Sequence, residues 1–162
     1  MSEIFFIGCT HFDHARIIDI AHRPFADVDA MNEALIERWN NTVTDRDTVY
    51  HLGDFGWRAQ SPDFLGRLRG QIIRLQGNHD ASGWGWPYRE IEGPGGLKIC
   101  LFHYPIDDWN GRFNGSVHFH AHTHKHDFVS KPGRGNVSAE AINYTPIELT
   151  EALRRLTDPR DL

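Results

Sequence analysis

Five histidines alternate with other residues in the segment VHFHAHTHKH, at positions 118, 120, 122, 124 and 126. A period of two is the spacing of a β-strand, so a fully extended segment would project all five imidazoles from one face. Tetrahedral zinc takes four ligands, and hydrolytic metal sites commonly keep one position open for water. At most two or three of these histidines are therefore expected to bind the same ion, and the others need a different role.

Further metal-binding side chains stand in the segments GCTHFDH, LGDF, GNHD and FHYP. With HAHTH, these segments supply thiolate, imidazole, carboxylate and amide donors on Cys9, His11, Asp54, Asn78, His79, His103, His122 and His124. Such a mixed donor set suits zinc, iron or manganese rather than calcium or a lone magnesium ion. The set is large enough for two ions.

The elements that must position these residues are strands alternating with helices in the first half, then mostly strands. Strands are predicted at 3–9, 47–54, 71–78, 96–105, 116–122 and 136–142, and helices at 27–41, 61–68 and 145–156. The first helix places Met31, Leu35 and Trp39 on one stripe, and the second opens with Ser61 as N-cap and Pro62 at its first position. This order indicates an α/β domain of two packed sheets, in which functional groups gather at strand ends.

Composition and charge narrow the class of protein. The 162 residues carry a net charge of −5 and show no internal repeat, which is typical of a single soluble domain over residues 1–162. Glycine and proline clusters at 82–96 and 131–135 are interpreted as loops. The charge does not favour nucleic acid as a partner, although a local basic patch is compatible with it.

The cellular compartment is predicted from the first residues and from the cysteines. MSEIFFIGCT has no basic region, and its apolar run is too short for a signal peptide or a membrane span. A cytoplasmic protein without a membrane partner is therefore expected. Cys9 and Cys100 are too few for a disulfide framework and are expected to remain thiols.

The motifs, in this order, resemble the calcineurin-like metallophosphoesterase family. That family's pattern is D-x-H, G-D, G-N-H-D, a single His and G-H-x-H, and this chain has CTH, GD, GNHD, FHYP and AHTH. The segments HRPF, DWNG and NVSAEAINYTPIEL resemble a small bacterial and phage branch of phosphoesterases. The resemblance implies a four-layer α/β/β/α sandwich of two mixed sheets flanked by helices. It also implies two divalent or trivalent transition-metal ions, Zn, Fe or Mn.

The resemblance assigns a role to each motif residue. Asp54 would bridge two metals, with Cys9, His11 and His124 completing the first site. Asn78, His103 and His122 would complete the second. His79 would protonate the leaving oxygen or stabilise phosphoryl charge, and Asp80 is expected to orient His79 rather than bind metal.

The implied reaction is hydrolysis of a phosphoester by in-line attack of a hydroxide that bridges two cations about 4 Å apart. A phosphodiester is preferred over a phosphomonoester, and the implied partner is a small phosphoester or a nucleotide. Two other functions stay open. The histidine run would serve metal storage if the chain bound more than two ions. Alternatively, the chain would be a metal- or ligand-binding module if Cys9 impairs catalysis.

Cys9 stands where the family pattern has Asp. A thiolate ligand would shift metal preference towards zinc or iron. The alternative is that Cys9 is a small buried hydrophobe; Asp13 would then compensate, but nothing in the sequence places it at the metal.

For several neighbouring residues more than one interpretation stays open. His118 and His120 would support ligands or pack in the core, and His126 is expected on a surface loop. His14 would contact substrate, support a ligand or begin a helix. Three aromatic residues are expected to cover the edge of the core, the alternative being that they stack a nucleobase: Trp84, Trp86 and Tyr88.

Overall fold

Two mixed β-sheets flanked by helices form the computed structural model, which describes residues 2–57 and 62–157. In chain order the elements are β1 (Ile4–Ile7), α1 (Arg16–Ile20), α2 (Val28–Thr42), β2 (Thr48–His51), α3 (Pro62–Arg67), β3 (Gln71–Arg74), β4 (Tyr88–Glu92), β5 (Lys98–Phe102), β6 (Val117–His120), β7 (Val129–Lys131), β8 (Arg134–Asn136), β9 (Ile147–Glu148) and α4 (Leu149–Thr157). The predicted α/β class with two mixed sheets is confirmed.

The first sheet has the order β3-β2-β1-β9 and the second the order β4-β5-β6-β8-β7. In the first, β1, β2 and β3 are parallel and β9 is antiparallel to β1. In the second, β5, β6 and β8 are parallel, and the two edge strands are antiparallel to their neighbours. The carboxyl ends of parallel strands meet at one edge of a sheet, so each sheet gathers the residues that follow its central strands.

The two sheets pack face to face through β1 and β6. The ring of Phe6 lies 4.9 Å from the ring of Phe119, and both side chains are fully buried. Beyond β1, a Cβ at Gly8 would lie 2.5 Å from the Cβ of Ala121. Glycine therefore permits the segments that follow β1 and β6 to approach closely.

Helix α2 follows the sequence prediction closely. The Asp27 side chain caps the helix by accepting a hydrogen bond from the backbone N–H of Ala30 at 2.8 Å. The predicted stripe of Met31, Leu35 and Trp39 is buried in the core. The Ser61 cap predicted for the next helix lies outside the described residues.

Three segments differ from the sequence prediction. The segment 131–135, interpreted as a loop, contains the end of β7 at Lys131 and the start of β8 at Arg134. The segment 82–96, interpreted as a loop, contains strand β4, whose residues alternate between exposed and half-buried at the edge of the second sheet. The predicted strand 136–142 is mostly wrong, because β8 ends at Asn136 and a 3₁₀ helix forms at Ala139–Ile142. Its apolar residues are buried by this 3₁₀ turn, so apolar character alone indicated burial rather than an extended chain.

The histidine run is not extended throughout, because β6 ends at His120. His118 and His120 are fully buried. The ring of His118 contacts the carbonyl oxygens of Cys100 and Tyr104 at 3.0 and 3.2 Å. His120 contacts the hydroxyl of Ser130 at 2.8 Å. These two histidines are therefore hydrogen-bonded core residues.

Among the described residues, no helix combines the length and the apolar character needed to cross a membrane.

Candidate metal centre

The predicted ligands come together at the carboxyl ends of five parallel strands. Cys9 and His11 follow β1, Asp54 follows β2 and Asn78 follows β3. From the second sheet, His103 follows β5, and His122 and His124 follow β6. The close approach of β1 and β6 described above joins the contributions of the two sheets.

Five of these residues have left-handed backbone conformations. They are Cys9 (φ 54°), His11 (φ 52°), Asp54 (φ 56°), His122 (φ 68°) and His124 (φ 52°). Non-glycine residues avoid this region, and such strain persists where surrounding contacts over-determine it, which is common at functional sites. The strained backbone at these five positions therefore indicates a candidate functional site.

A first group of donors comprises Cys9, His11 and His124, whose ligand atoms lie within 4.8 Å of one another. The Nε2 atom of His11 is buried without a hydrogen-bond partner. Its Nδ1 lies 3.3 Å from Nδ1 of His14, and donation from His11 to His14 leaves a lone pair on Nε2. A buried lone pair without a donor fits a metal ligand.

A second group comprises Cys9, Asp54 and His103, again within 4.8 Å of one another. Nδ1 of His103 lies 2.7 Å from the carbonyl oxygen of Leu52 and must donate to it. Nε2 of His103 faces Oδ2 of Asp54, 3.4 Å away: it donates to that carboxylate when His103 is protonated, and it offers a lone pair to a metal ion when His103 is neutral. A shared cation would stabilise this convergence of acceptors.

Asn78 and His122 lie next to the second group. The side-chain oxygen of Asn78 is 3.0 Å from Nε2 of His103 and 3.0 Å from Nδ1 of His122. All three side chains can therefore face one ion together with Asp54. His103 is buried and His122 half-buried, so this side of the centre opens towards solvent.

Asp54 occupies the position between the two groups. Its Oδ2 lies 3.6 Å from Nε2 of His11 and 3.4 Å from Nε2 of His103. Burial raises the pKa of Asp54, but the hydrogen bond and charge of His103 and the backbone N–H of His79 outweigh it, and the net shift is downward. Asp54 is therefore an ionised carboxylate in contact with both sets of donors.

Cys9 belongs to both groups, whereas the family resemblance implied a place in the first site alone. The thiol is fully buried, and its Sγ accepts a hydrogen bond from the backbone N–H of His122 at 3.1 Å. Burial raises the pKa of the Cys9 thiol, and the carboxylates of Asp54 and Glu140 raise it further. A cation at this position would offset these effects by stabilising the thiolate.

Asp80 supports the backbone that carries Asp54. Its carboxylate accepts hydrogen bonds from the backbone N–H groups of Asp54, Phe55 and Gly77 at 2.7, 3.0 and 2.8 Å. Gly77 packs directly against the Asp54 carboxylate, and a Cβ there would clash with it. The side-chain contacts of Asp80 thus fix the loop around Asp54, while its expected orientation of the His79 ring stays a prediction.

His79 lies at the exposed border of the centre. Its backbone N–H donates to Oδ1 of Asp54 at 2.8 Å, which fixes the start of the loop. Its ring lies 5.4 Å from the ring of His11. The side chain is therefore near the donors and accessible to a bound molecule.

Sequence reasoning missed Arg23 and Glu140. Glu140 contacts Nδ1 of His124 at 3.0 Å, while Arg23 donates to the carbonyl oxygens of Cys9 and Thr10 at 2.6 and 2.8 Å. Burial raises the pKa of Glu140, but His124 and Arg23 outweigh it and lower the pKa overall. The one available signal was the isolated charge of Glu140 within the apolar segment AEAI.

His14 lies just before α1 and also supports the centre. Its ring contacts His11, as described above, and stacks on Trp57 with ring centroids 4.4 Å apart. Burial lowers the pKa of His14, and the charges of His79 and Arg23 lower it further. Sequence reasoning did not identify Trp57.

The aromatic residues of the segment WGWPYRE have different environments. Trp84 is half-buried and packs against the core, and Arg74 lies over its ring at 4.0 Å. Trp86 and Tyr88 are exposed. Covering the edge of the core therefore describes Trp84 but not Trp86.

Structural comparison shows that the fold of two mixed sheets flanked by helices is shared with several solved structures. The chain resembles the protein of unknown function AQ665 from Aquifex aeolicus with a TM-score of 0.73 and 24% identity, covering 95% of this chain and 99% of that one. It also resembles wild-type Vps29 of Entamoeba histolytica complexed with zinc, with a TM-score of 0.51 and 19% identity. The match covers 83% of this chain and 72% of that one. For Vps29 of Chaetomium thermophilum the TM-score is 0.52 at 15% identity, and the match covers 86% of this chain and 75% of that one.

Sequence comparison shows the family. The chain is 39% identical over 158 residues to the uncharacterized protein MJ1445 of Methanocaldococcus jannaschii, covering 92% of this chain and 88% of that protein. The chain therefore belongs to the family of that archaeal protein. No protein-family model matches the chain.

Proposed function

We propose that this chain is a dinuclear metal-dependent phosphoesterase that hydrolyses a phosphodiester in preference to a phosphomonoester. The observation that carries the proposal is the pair of donor groups that share Cys9 and meet at the carboxylate of Asp54. Two ions in such an arrangement are known to favour in-line displacement at phosphorus.

The donors divide between two ions as follows. Cys9, His11 and His124 would hold the first, and Asn78, His103 and His122 the second, with Asp54 shared between them. When bound, the ions would neutralise the anionic phosphoester and activate water for attack. Zinc or iron suits a site with one thiolate and several imidazoles better than manganese.

The protein's own groups have separate tasks. His79, at the exposed border, would give a proton to the leaving oxygen. Asp80 would hold the Asp54 loop in place through its three backbone hydrogen bonds. Arg23 would fix the backbone of the first motif through the Cys9 and Thr10 carbonyl oxygens.

Metal content and hydrolysis measured on the same protein test the proposal. Purified protein is stripped with chelator, reconstituted separately with zinc, iron or manganese, and assayed with bis(p-nitrophenyl) phosphate. We expect up to two ions per chain by elemental analysis and loss of hydrolysis on chelation. Replacing His126, an exposed residue outside both donor groups, with Ala provides the control.

Each contrary result has a definite meaning. Full activity in chelator, with no bound metal, would overturn the metal-dependent function. Two bound ions without turnover would favour a metal- or ligand-binding module in which Cys9 impairs catalysis. More than two ions per chain would favour metal storage.

A further inference from the structure

A cleft of about 420 Å³ adjoins the metal centre on the side of His79. Its lining includes Asp13, His14, Arg16, Ile20, Trp57 and His79. The volume is in the range of small-molecule sites, which are concave, mostly apolar and furnished with a few polar groups. None of the residues in the two donor groups lines this space, which is here named the side cleft.

The side cleft exposes two large apolar side chains. Ile20 is 62% exposed and Trp57 is 43% exposed. One face of the Trp57 indole is covered by the His14 ring, at an interplanar angle of 21°. Apolar surface at the rim of a polar centre is typical of a ligand-binding groove. The stack on His14 also holds the indole in one orientation.

His79 connects the side cleft with the metal centre. Its ring lies 5.4 Å from the ring of His11 and 6.4 Å from the ring of Trp57. Because these two rings are so close, a leaving oxygen that contacts His79 also lies near the Trp57 indole. The organic group attached to that oxygen would extend into the side cleft.

The charges around the side cleft favour a neutral ring with polar edges. Asp13 and Arg16 are both exposed and carry opposite charges. An acidic group in the cleft would meet Asp13, and a basic group would meet Arg16. Both residues can instead hydrogen-bond the edge of a neutral heterocycle while Trp57 and Ile20 contact its faces.

We propose that the side cleft binds the alcohol portion of the substrate and that this portion carries a planar aromatic ring, as in a nucleoside or an aryl alcohol. The inference rests on the proposed phosphoesterase function. Hydrolysis breaks the P–O bond to this alcohol, water supplies the new oxygen on phosphorus, and His79 supplies the proton that the departing oxygen takes up. The side cleft thereby selects substrates by their leaving group.

Binding of non-hydrolysable phosphonates tests the cleft without requiring turnover. Phenylphosphonate and methylphosphonate share one anionic head and differ in the ring, and calorimetry on the metal-reconstituted protein gives their affinity ratio. Because ring stacking contributes about tenfold in affinity, we expect phenylphosphonate to bind about tenfold more tightly. In Trp57→Ala the ratio should fall towards one.

Two further variants keep this test interpretable. Ile20→Ser alters an exposed residue of the side cleft and should lower the ratio by about two- to fivefold without risk to the core. Trp86→Ala removes an indole that is 59% exposed and lies outside the cleft, and should keep the wild-type ratio. Equal ratios in wild-type protein, Trp57→Ala and Ile20→Ser would overturn the proposal.

A kinetic comparison shows which part of the substrate occupies the cleft. Bis(p-nitrophenyl) phosphate and ethyl p-nitrophenyl phosphate release the same aryl group, and only the first has a second ring. Trp57→Ala should raise KM for both. A rise for the diaryl ester alone would place the retained substituent in the cleft and overturn the proposal.

Failure of the two proposals can be told apart. A phenyl preference that depends on Trp57, without hydrolysis by any metal form, would support the side cleft and refute the phosphoesterase function. Hydrolysis without a phenyl preference would support the phosphoesterase function and refute the side cleft.

Discussion

Arg23 and Glu140 form an ion pair with a nitrogen to oxygen distance of 2.8 Å, although they lie 117 positions apart and neither side chain is exposed. Arg23 also contacts the carbonyl oxygen of Cys9, and Glu140 contacts the ring of His124. The ion pair thus links Cys9 and His124, two members of the first donor group, through the Cys9 carbonyl oxygen and Nδ1 of His124. A carboxylate that accepts from Nδ1 of a histidine directs its Nε2 lone pair outward, as metal-binding histidines require.

Replacing Glu140 with Gln should destabilise the protein and weaken the first metal site. The change leaves the Arg23 charge buried without a counter-ion, which typically costs about 3–5 kcal/mol. Denaturant unfolding measures the loss in stability, and zinc titration of the chelated protein measures the loss in affinity.

Glu33→Gln is the matched control for Glu140→Gln. Glu33 also pairs with an arginine, Arg67, at 2.6 Å, but both side chains are solvent-exposed. An exposed pair contributes little, so stability and metal affinity should stay close to wild type. Equal effects of the two substitutions would show that the buried pair has no special part in the centre.

Replacing His79 with Ala should lower kcat by roughly 10²- to 10⁴-fold, the range for loss of a general acid. Metal content should be unchanged, because His79 belongs to neither donor group. Steady-state kinetics and elemental analysis on the same preparation test both expectations. Loss of one metal ion would identify His79 as a ligand and exclude the proton-transfer role proposed for it.

The strand ends of the site were predictable because ligand motifs directly follow apolar runs. Asp54 follows the buried strand β2 within three residues, and His103 follows β5 immediately. Local sequence therefore placed these side chains correctly at the edge of a sheet. The left-handed turns at Cys9 and His122 were not predictable, because intrinsic preferences of non-glycine residues oppose them.

The supporting residues of the site were not predictable for a different reason. Arg23 and Glu140 act through a contact between distant parts of the chain, and neither belongs to a ligand motif. Trp57 likewise gains its role by stacking on His14, a tertiary contact. Strand β4 was missed because three of its five residues are charged, which suits an edge strand and a loop equally well.

Replacing Asp47 with Asn should reduce stability at neutral pH, and the difference from wild type should shrink in acid. The Asp47 carboxylate accepts hydrogen bonds from the backbone N–H groups of Glu3 and Thr44, at 2.8 and 2.7 Å. The hydrogen bonds from Glu3 and Thr44 lower its pKa. A carboxyl group with a lowered folded-state pKa stabilises the fold fully above its unfolded pKa of about 3.9.

This stabilisation is lost as the pH falls through the lower folded-state pKa of Asp47. Unfolding measured in urea from pH 7 down to pH 2 should therefore show converging stabilities for wild-type protein and Asp47→Asn. Asp45→Asn, a neighbouring exposed carboxylate, provides the control. A constant difference across this range would show that the charge of Asp47 does not contribute.

Cys9 stands where the pattern of the family that the chain resembles has Asp, and its place in both donor groups makes substitution there informative. The proposed thiolate ligand predicts that Cys9→Ser weakens zinc binding, because a hydroxyl is a poorer ligand and is not deprotonated as readily. Cys9→Asp should retain two ions and shift the activity optimum towards manganese, because a carboxylate is a harder donor. Cys100→Ser is the control for the general effect of removing a buried thiol.

Metal titrations of wild-type protein and the three variants decide between a ligand and a bystander. If Cys9 binds metal, zinc affinity should fall at one or both ions in Cys9→Ser and stay at the wild-type level in Cys100→Ser. If zinc affinity falls only for the ion held by His11 and His124, Cys9 belongs to the first site. If it falls for both ions, Cys9 is a second bridging ligand beside Asp54. Identical affinity and metal preference in all four proteins would show that the thiol only fills space between the two sheets.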